Sequence, residues 1–133
     1  MNASVNHEEV LVKASIAPRR QVRYLGFVAN PKARDRFLNE LGHFKQLNPK
    51  YIVNIPPSES DLAGITKLLK AKGAGDRCWV LSANRTIDGH EVDLQDALEA
   101  TLGSGLGTFL SCLPGRLAYF EDEDVYCILE RIP

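Results

Sequence analysis

The sequence predicts one α+β domain, with a helix-rich N-terminal half packed on a small, mainly antiparallel sheet of about four strands in the C-terminal half. Apolar residues recur at helical spacing as far as Leu69, whereas short apolar and aromatic runs follow from Cys78 onward. A chain of 133 residues with 44% hydrophobic content suits one core. We therefore treat residues 1–133 as a single domain, and expect residues 1–7, which are polar, to be frayed.

Two helices are predicted in the first third of the chain. The first runs from Pro18 to near Ala29, with apolar residues at three-residue spacing on one side and arginines on the other. Asn30 and Pro31 supply the N-cap and first helical residue of the second. The apolar stripe of that second helix is Ala33, Phe37, Leu41 and Phe44. The segment 8–16 fits either a short helix or a strand.

Two more helices are predicted from their end signals. Ser58 with Asp61 resembles a capping box before an apolar stripe, and Gly73 has the usual C-terminal role. Asp93 is the predicted N-cap of the last helix, and Gly103 lies just past its end. Between the second and third helices, the segment 51–55 fits a short strand or an apolar anchor.

Strands are predicted at residues 78–81, 108–113, 116–120 and 126–129, the last three as an antiparallel meander. Pro114-Gly115 separates the first two strands of the meander. Pro-Gly favours a type II turn, whereas tight hairpins prefer primed turns. The connection is therefore expected to be wider than two residues, or bulged.

Charge is unevenly divided along the chain. Residues 1–53 hold nine Lys or Arg against four Asp or Glu, a balance of +5, and residues 54–133 hold seven against thirteen, a balance of −6. This asymmetry fits either a basic binding face or two halves that attract each other across one core. We favour the second interpretation, because the charges alternate with apolar residues.

The composition favours a cytoplasmic protein and predicts no membrane contact. No apolar run is long enough for a membrane span, and the first twenty residues lack a basic start followed by an apolar run. The three cysteines, Cys78, Cys112 and Cys127, are odd in number and widely spaced in apolar strands. Buried free thiols are expected to have this pattern.

The glycine-rich segment Gly103 to Gly107 is the first candidate for a ligand site. Phosphate-binding loops run strand, glycine loop, helix, so that helix N–H groups face the anion. Here the order is helix, loop, strand, and an anion would meet the negative end of the helix dipole. A helix end followed by a strand entry is the simpler interpretation.

Cys112 is the candidate nucleophile, with Arg116 placed to lower its pKa and His90 as the best available base beside Asp88. A strand cysteine packed in the core is the alternative that we favour. Metal and cofactor sites are not predicted. The chain has no His-x-x-x-His or Cys-x-x-Cys pair, and the acidic run 121–124 lacks the alternating ligands of a calcium loop.

A basic cluster in the predicted N-terminal helices is the best argument for nucleic acid. Its candidate binding residues are Arg19, Arg20, Arg23 and Arg34, with Lys32 and Arg36 nearby and Tyr24 and Phe27 interleaved. A nucleic-acid-binding domain is usually basic overall, and this chain has a calculated pI of about 6.3. We do not expect nucleic acid to be the partner.

The run from Gly107 to Glu121, Gly-Thr-Phe-Leu-Ser-Cys-Leu-Pro-Gly-Arg-Leu-Ala-Tyr-Phe-Glu, with Ile-Leu-Glu-Arg at 128–131, resembles a family of small uncharacterised bacterial proteins. The resemblance covers mainly the last third of the chain. It implies a bacterial origin and brings no catalytic assignment.

Three functional hypotheses follow from the sequence. The leading one is a non-catalytic interaction or regulatory domain with a protein partner or self-association. The second is a small-molecule site or enzyme near Asp88–His90, Gly103–Gly107 and Cys112–Arg116. The third is nucleic-acid binding through the basic helices.

Overall fold

A six-stranded antiparallel sheet forms the centre of the protein in a computed structural model, which describes residues 3–131. The strands are β1 Ile52–Val53, β2 Arg77–Ser82, β3 Glu91–Asp93, β4 Thr108–Leu113, β5 Leu117–Glu121 and β6 Tyr126–Glu130, in the order β1-β6-β5-β4-β2-β3. The α+β class is confirmed. The sheet has six strands, whereas the sequence predicted about four. The two additional strands, β1 and β3, have two and three residues, and they form by pairing with the longer strands β6 and β2.

Five helices cover the sheet: α1 Ala3–Ser15, α2 Gln21–Ala29, α3 Pro31–Glu40, α4 Leu62–Ala71 and α5 Leu94–Thr101. The ambiguous segment 8–16 therefore lies mainly in α1, which begins inside the stretch 1–7 expected to be frayed. Residues 1 and 2 of that stretch lie outside the described range. Within residues 3–131, no helix is both long and apolar enough to cross a bilayer.

The helices form two layers, one on each face of the sheet. Strand side chains alternate between the two layers, as in β4, where Phe109 packs with the N-terminal helices and Leu110 with the opposite layer. On the first face, α1, α2 and α3 contribute Leu11, Tyr24, Val28, Phe37 and Leu38. On the second face, α4 and α5 contribute Ile65, Leu69, Leu94, Ala97 and Leu98. The predicted helices are therefore divided between the two faces, since α4 packs with α5 on the face opposite α1, α2 and α3.

The helix ends follow the predicted signals at most positions. The Asn30 and Asp93 side chains accept hydrogen bonds from backbone N–H groups in the first turns of α3 and α5. Gly73, just past α4, has a φ of 109°. The N-cap of α4 is Asp61, whose carboxylate accepts from the Gly64 N–H at 2.8 Å. Ser58 lies earlier, in a 3-10 turn at Pro57–Glu59, so the predicted capping box is not formed.

The β4–β5 connection is bulged, as its Pro-Gly composition predicts. The register between the two strands shifts between Ser111 and Leu113, and Gly115 has a φ of 73°. Because of the shift, the β2–β4 ladder also stops at Trp79 and Ser111. Beyond that pair, the two strands leave a slot.

Candidate functional site

The predicted basic cluster is divided between the surface and the interior. Arg19 and Arg20 are exposed in a 3-10 turn at Pro18–Arg20. The Arg23 guanidinium donates to Glu40 at 3.2 Å and lies over the Phe27 ring, 5.0 Å from its centroid. Arg34 is turned inward and held by two carboxylates. The four residues therefore do not form one continuous binding surface.

Arg34 joins four parts of the fold through a buried polar cluster. Its Nε donates to Glu8 of α1 at 3.2 Å, and its Nη2 donates to Asp88 at 3.1 Å. Glu8 also accepts from the Trp79 indole of β2 at 3.1 Å, and Asp88 accepts from the Ser82 N–H at 2.8 Å. Burial alone would lower the pKa of Arg34, but the hydrogen bonds to both carboxylates raise it. The side chains of Arg34 and Asp88 are therefore engaged in contacts within the fold.

The three candidate catalytic residues are not brought together. Cys112 is buried in β4, whereas His90 precedes β3 and is exposed. Strand β2 lies between them, so about two strand spacings, roughly 10 Å, separate their backbones. Arg116 is exposed in the β4–β5 turn. The catalytic set predicted from Cys112, His90 and Arg116 is therefore not assembled in the described residues.

Burial keeps all three thiols neutral. It raises the pKa of Cys78 and of Cys112 to about 12, and that of Cys127 to about 11. We expect Ellman's reagent at pH 8 to modify these cysteines at least about a hundred times more slowly in the native protein than in denaturing urea. A thiol that reacts in the native protein at its unfolded rate would contradict this placement.

The glycine-rich segment lies at the opposite end of β4 from Cys112 to Arg116. Gly103 and Gly105 have φ values of 74°, which a glycine adopts without strain. At Gly107, a Cβ atom would overlap the backbone carbonyl of Leu41. The glycines therefore serve the α5–β4 turn and a close backbone approach. Among residues 3–131, none of five cavities is lined by all three segments of the enzyme hypothesis.

The acidic run 121–124 forms the β5–β6 turn. Asp122 is buried, and its carboxylate accepts from the N–H groups of Phe44, Asp124 and Val125. Buried Glu121 accepts from the Tyr119 hydroxyl at 2.6 Å and from the Gly103 N–H at 2.8 Å. Within the described residues, no group of three or more His, Cys, Asp or Glu side chains is placed to hold a metal.

This turn is tied to the N-terminal half by surface charges. The two ring nitrogens of His43 lie 3.0 Å from the carboxylates of Glu123 and Asp124. The hydrogen bond to Asp124 raises the pKa of His43 above its usual value. Lys45 also lies 3.4 Å from Asp124. These contacts agree with the interpretation that the two halves attract each other.

An open backbone edge follows directly after the turn. The bonds Asp122 N–H to Val125 C=O and Arg131 N–H to Arg116 C=O bracket the β5–β6 ladder. In an antiparallel pair, every second residue of a strand directs its N–H and C=O groups to the same neighbouring strand. Residues 125, 127, 129 and 131 therefore direct theirs toward β5. The N–H and C=O of Tyr126 and Ile128 therefore point to the other edge, where β1 lies.

Strand β1 covers only part of that edge. Val53 pairs with Ile128, and the chain then departs at Asn54. Within residues 3–131, no backbone hydrogen bond joins Tyr126 to Asn54 or Ile55. The Tyr126 N–H and C=O are therefore left facing a gap in the sheet edge.

A different surface lies on each side of this gap. On the side of the N-terminal helices is an apolar groove of about 430 Å³, lined by Leu47, Ile52, Asn54, Ile55, Val125, Tyr126 and Cys127. On the other side is an acidic cleft of about 470 Å³, lined by Ser60, Leu102, Gly103, Gly105, Tyr119 and residues 121–126. Val125 and Tyr126 form the ridge between them and are 45% and 40% exposed. These exposed apolar side chains and the open edge are the best candidate for a functional site.

Sequence reasoning missed this site, because Val125 lies between the acidic run 121–124 and the predicted strand 126–129, and Tyr126 is the first residue of that strand. No protein-family model matches the chain, and searches of curated proteins and of solved structures also gave no match. The resemblance to small bacterial proteins therefore stays a prediction.

Proposed function

We propose that this protein is a non-catalytic interaction domain that binds a short extended peptide at the open edge beside Tyr126. The observation that carries the proposal is the free backbone edge of Tyr126 between the apolar groove and the acidic cleft. An extended peptide can add a strand to such an edge, so that main-chain bonds give affinity and side-chain pockets give specificity.

The two surfaces define the chemistry of the peptide. Successive side chains of a strand point to opposite faces of the sheet. One side chain of an added strand would enter the groove beside Leu47 and Ile52, and the next would lie over the cleft that contains Glu121 and Asp122. The peptide that fits therefore alternates an apolar residue with Lys or Arg.

The sheet edges favour a peptide over a second copy of this chain. Strand β1 has only two residues and is flanked by Pro49 and by Pro56. Strand β3, at the opposite edge, has three residues and carries Glu91 and Asp93. Short, charged or proline-flanked strands discourage pairing between sheets. A peptide needs only the gap at Tyr126.

Nucleic-acid binding at the surface of the basic helices is supported less well than peptide binding at Tyr126. Single strands bind to stacking platforms of exposed aromatic rings beside cations. Tyr24 is buried, Phe27 is partly buried under Arg23, and Arg34 is ion-paired. Arg19 and Arg20 remain as exposed charges without a neighbouring exposed ring, so this geometry supports peptide binding better.

Selection from a display library of short random peptides tests the proposal. We expect enriched sequences to alternate an apolar residue with Lys or Arg, and to bind the Val125→Lys variant at least about tenfold more weakly, because the new side chain brings a positive charge to the ridge. Val22→Lys is the matched control, since Val22 is 83% exposed on α2 and lines neither surface.

The affinity is measured with a fluorescently labelled member of the enriched set. Equal binding to Val125→Lys and to the unmodified protein would contradict the proposal. A selection that enriches no sequence above the background found with Val125→Lys would also contradict the proposal.

A further inference from the structure

Two arginines lie directly opposite each other at one end of the sheet. Arg116 precedes β5 and Arg131 follows β6, and the Arg131 N–H donates to the Arg116 carbonyl at 2.8 Å. This bond continues the β5–β6 register, in which Leu117 pairs with Glu130. Residues that are hydrogen-bonded in this way have Cα atoms about 5.5 Å apart. The two side chains therefore start from neighbouring positions.

The alternation of the strands directs both side chains to the same face of the sheet. Ala118 comes two residues after Arg116, Leu129 comes two residues before Arg131, and both pack in the core with the N-terminal helices. Because strand side chains two residues apart share a face, both arginines are directed to the side of α1. They also line one small cavity together with Ala14 of α1. The two guanidinium groups therefore belong to one surface.

Neither guanidinium has a counter-ion among residues 3–131. Both arginines are exposed, and no carboxylate of the described residues lies within 4 Å of either group. Like charges directly opposite each other on two strands are destabilising. An anion bound between Arg116 and Arg131 would offset that repulsion.

A third cation and an aromatic ring border the pair. The guanidinium carbon of Arg131 lies 5.7 Å from the centroid of the Tyr51 ring, and the Lys50 ammonium nitrogen lies 5.7 Å from the same centroid. A cation is attracted to the face of such a ring, so Tyr51 restricts the position of the Arg131 charge. Lys50 is exposed and has no ion pair in the described part of the chain. This end of the sheet therefore presents an excess of positive charge.

The C-terminal end of α1 is the competing explanation for the two arginines, because cations near that end of a helix interact favourably with its dipole. Carbonyl groups at this end already accept other hydrogen bonds. The Gln21 side chain donates to the Lys13 carbonyl at 3.1 Å, and the Asn48 N–H donates to the Ser15 carbonyl at 2.8 Å. If the dipole explained the pair, removal of either arginine would destabilise the protein in the absence of any ligand.

We infer that Arg116 and Arg131 bind the dianion of a phosphate monoester at this end of the sheet. The planar fork of each guanidinium matches two oxygens of a phosphate, and a phosphate monoester offers three terminal oxygens and close to two negative charges at neutral pH. A carboxylate has one charge and would leave the second arginine unbalanced. Tyr126 begins β6 and Arg131 follows its end, so the site is separate from the proposed peptide edge and does not depend on peptide binding.

Isothermal titration calorimetry at low ionic strength and about pH 8, where a phosphate monoester is a dianion, tests the inference. The probes are glycerol phosphate and a blocked Gly-phosphoserine-Gly peptide. We expect at least one of them to bind saturably, with a dissociation constant of about 1 mM or less. It should bind at least about tenfold more weakly to Arg116→Gln and to Arg131→Gln, because each variant removes one charged fork. The tighter probe shows whether the ligand is a small phosphate or a phosphorylated peptide.

Arg36→Gln is the matched control, because Arg36 is exposed on α3 and also lacks an ion pair within residues 3–131. It should bind the probe as the unmodified protein does. Replacement of both Arg116 and Arg131 by Lys keeps the charges without the forks, and should also weaken binding. Undiminished binding to that double variant, or no saturable binding of either probe, would overturn the inference. A Tm of Arg116→Gln lowered by more than about 4 °C without probe would overturn it as well, since it would assign the arginine to the stability of α1.

Discussion

Replacement of Arg34 by Met should lower the free energy of unfolding by about 3 kcal/mol, because it leaves the partly buried carboxylates of Glu8 and Asp88 without their shared counter-ion. For a domain of this size, the Tm should fall by roughly 10 °C. Thermal unfolding followed by circular dichroism measures the change. The emission of Trp79 should shift too, since its indole donates to Glu8.

Arg36→Met is the control for this prediction. Arg36 is exposed on the same helix, α3, and its replacement should change the free energy of unfolding by no more than about 0.5 kcal/mol. If the two variants unfolded at the same temperature, the cluster around Arg34 would not have the structural role assigned to it.

Gly107→Ala should also be strongly destabilising, by about 3 kcal/mol or more. The added Cβ would overlap the carbonyl oxygen and carbon of Leu41, and backbone atoms cannot rotate away as a side chain can. The Gly107 carbonyl also accepts the Ala83 N–H at 2.9 Å, which begins the β2–β4 ladder. A displaced Gly107 would therefore disturb the sheet as well as the Leu41 turn. Chemical denaturation measures the loss.

Gly26→Ala provides the opposite case. Gly26 lies within α2, and a Cβ atom there would meet nothing within 4 Å. Alanine should stabilise the helix by about 0.5–1 kcal/mol. Loss of stability in Gly26→Ala, or full stability in Gly107→Ala, would contradict the packing described here.

The sequence predicts the longer elements well, because their signals are local. Asn30, Asp93 and Gly73 mark helix ends through hydrogen bonds and backbone angles that depend on a few neighbouring residues. Pro114-Gly115 likewise indicates a bulged connection between β4 and β5. These features need no knowledge of the rest of the fold.

The features that were missed depend on contacts distant in sequence. Strand β1 exists because Val53 meets Ile128, and β3 because Val92 meets Cys78. An amphipathic pattern shows which side of a helix is buried, but not which face of the sheet it covers. The second layer, formed by α4 and α5, could not be assigned for that reason.

The candidate sites escaped prediction for the same reason. Tyr126 looks like an ordinary strand residue, and its free edge appears only once β1 is seen to depart at Asn54. The arginines gave a clear signal of charge, but the inward position of Arg34 depends on Glu8 and Asp88, which are far from it in sequence.

Hydrogen exchange at the Tyr126 amide is the most direct test of the proposed function. In the protein alone, this N–H should exchange rapidly, whereas the neighbouring Cys127 and Ile128 amides should be protected by β5 and β1. Addition of a selected peptide should slow exchange at Tyr126 and leave its two neighbours protected. A peptide that binds while the Tyr126 amide still exchanges at its free rate would show that recognition occurs elsewhere, and would contradict strand addition at this edge.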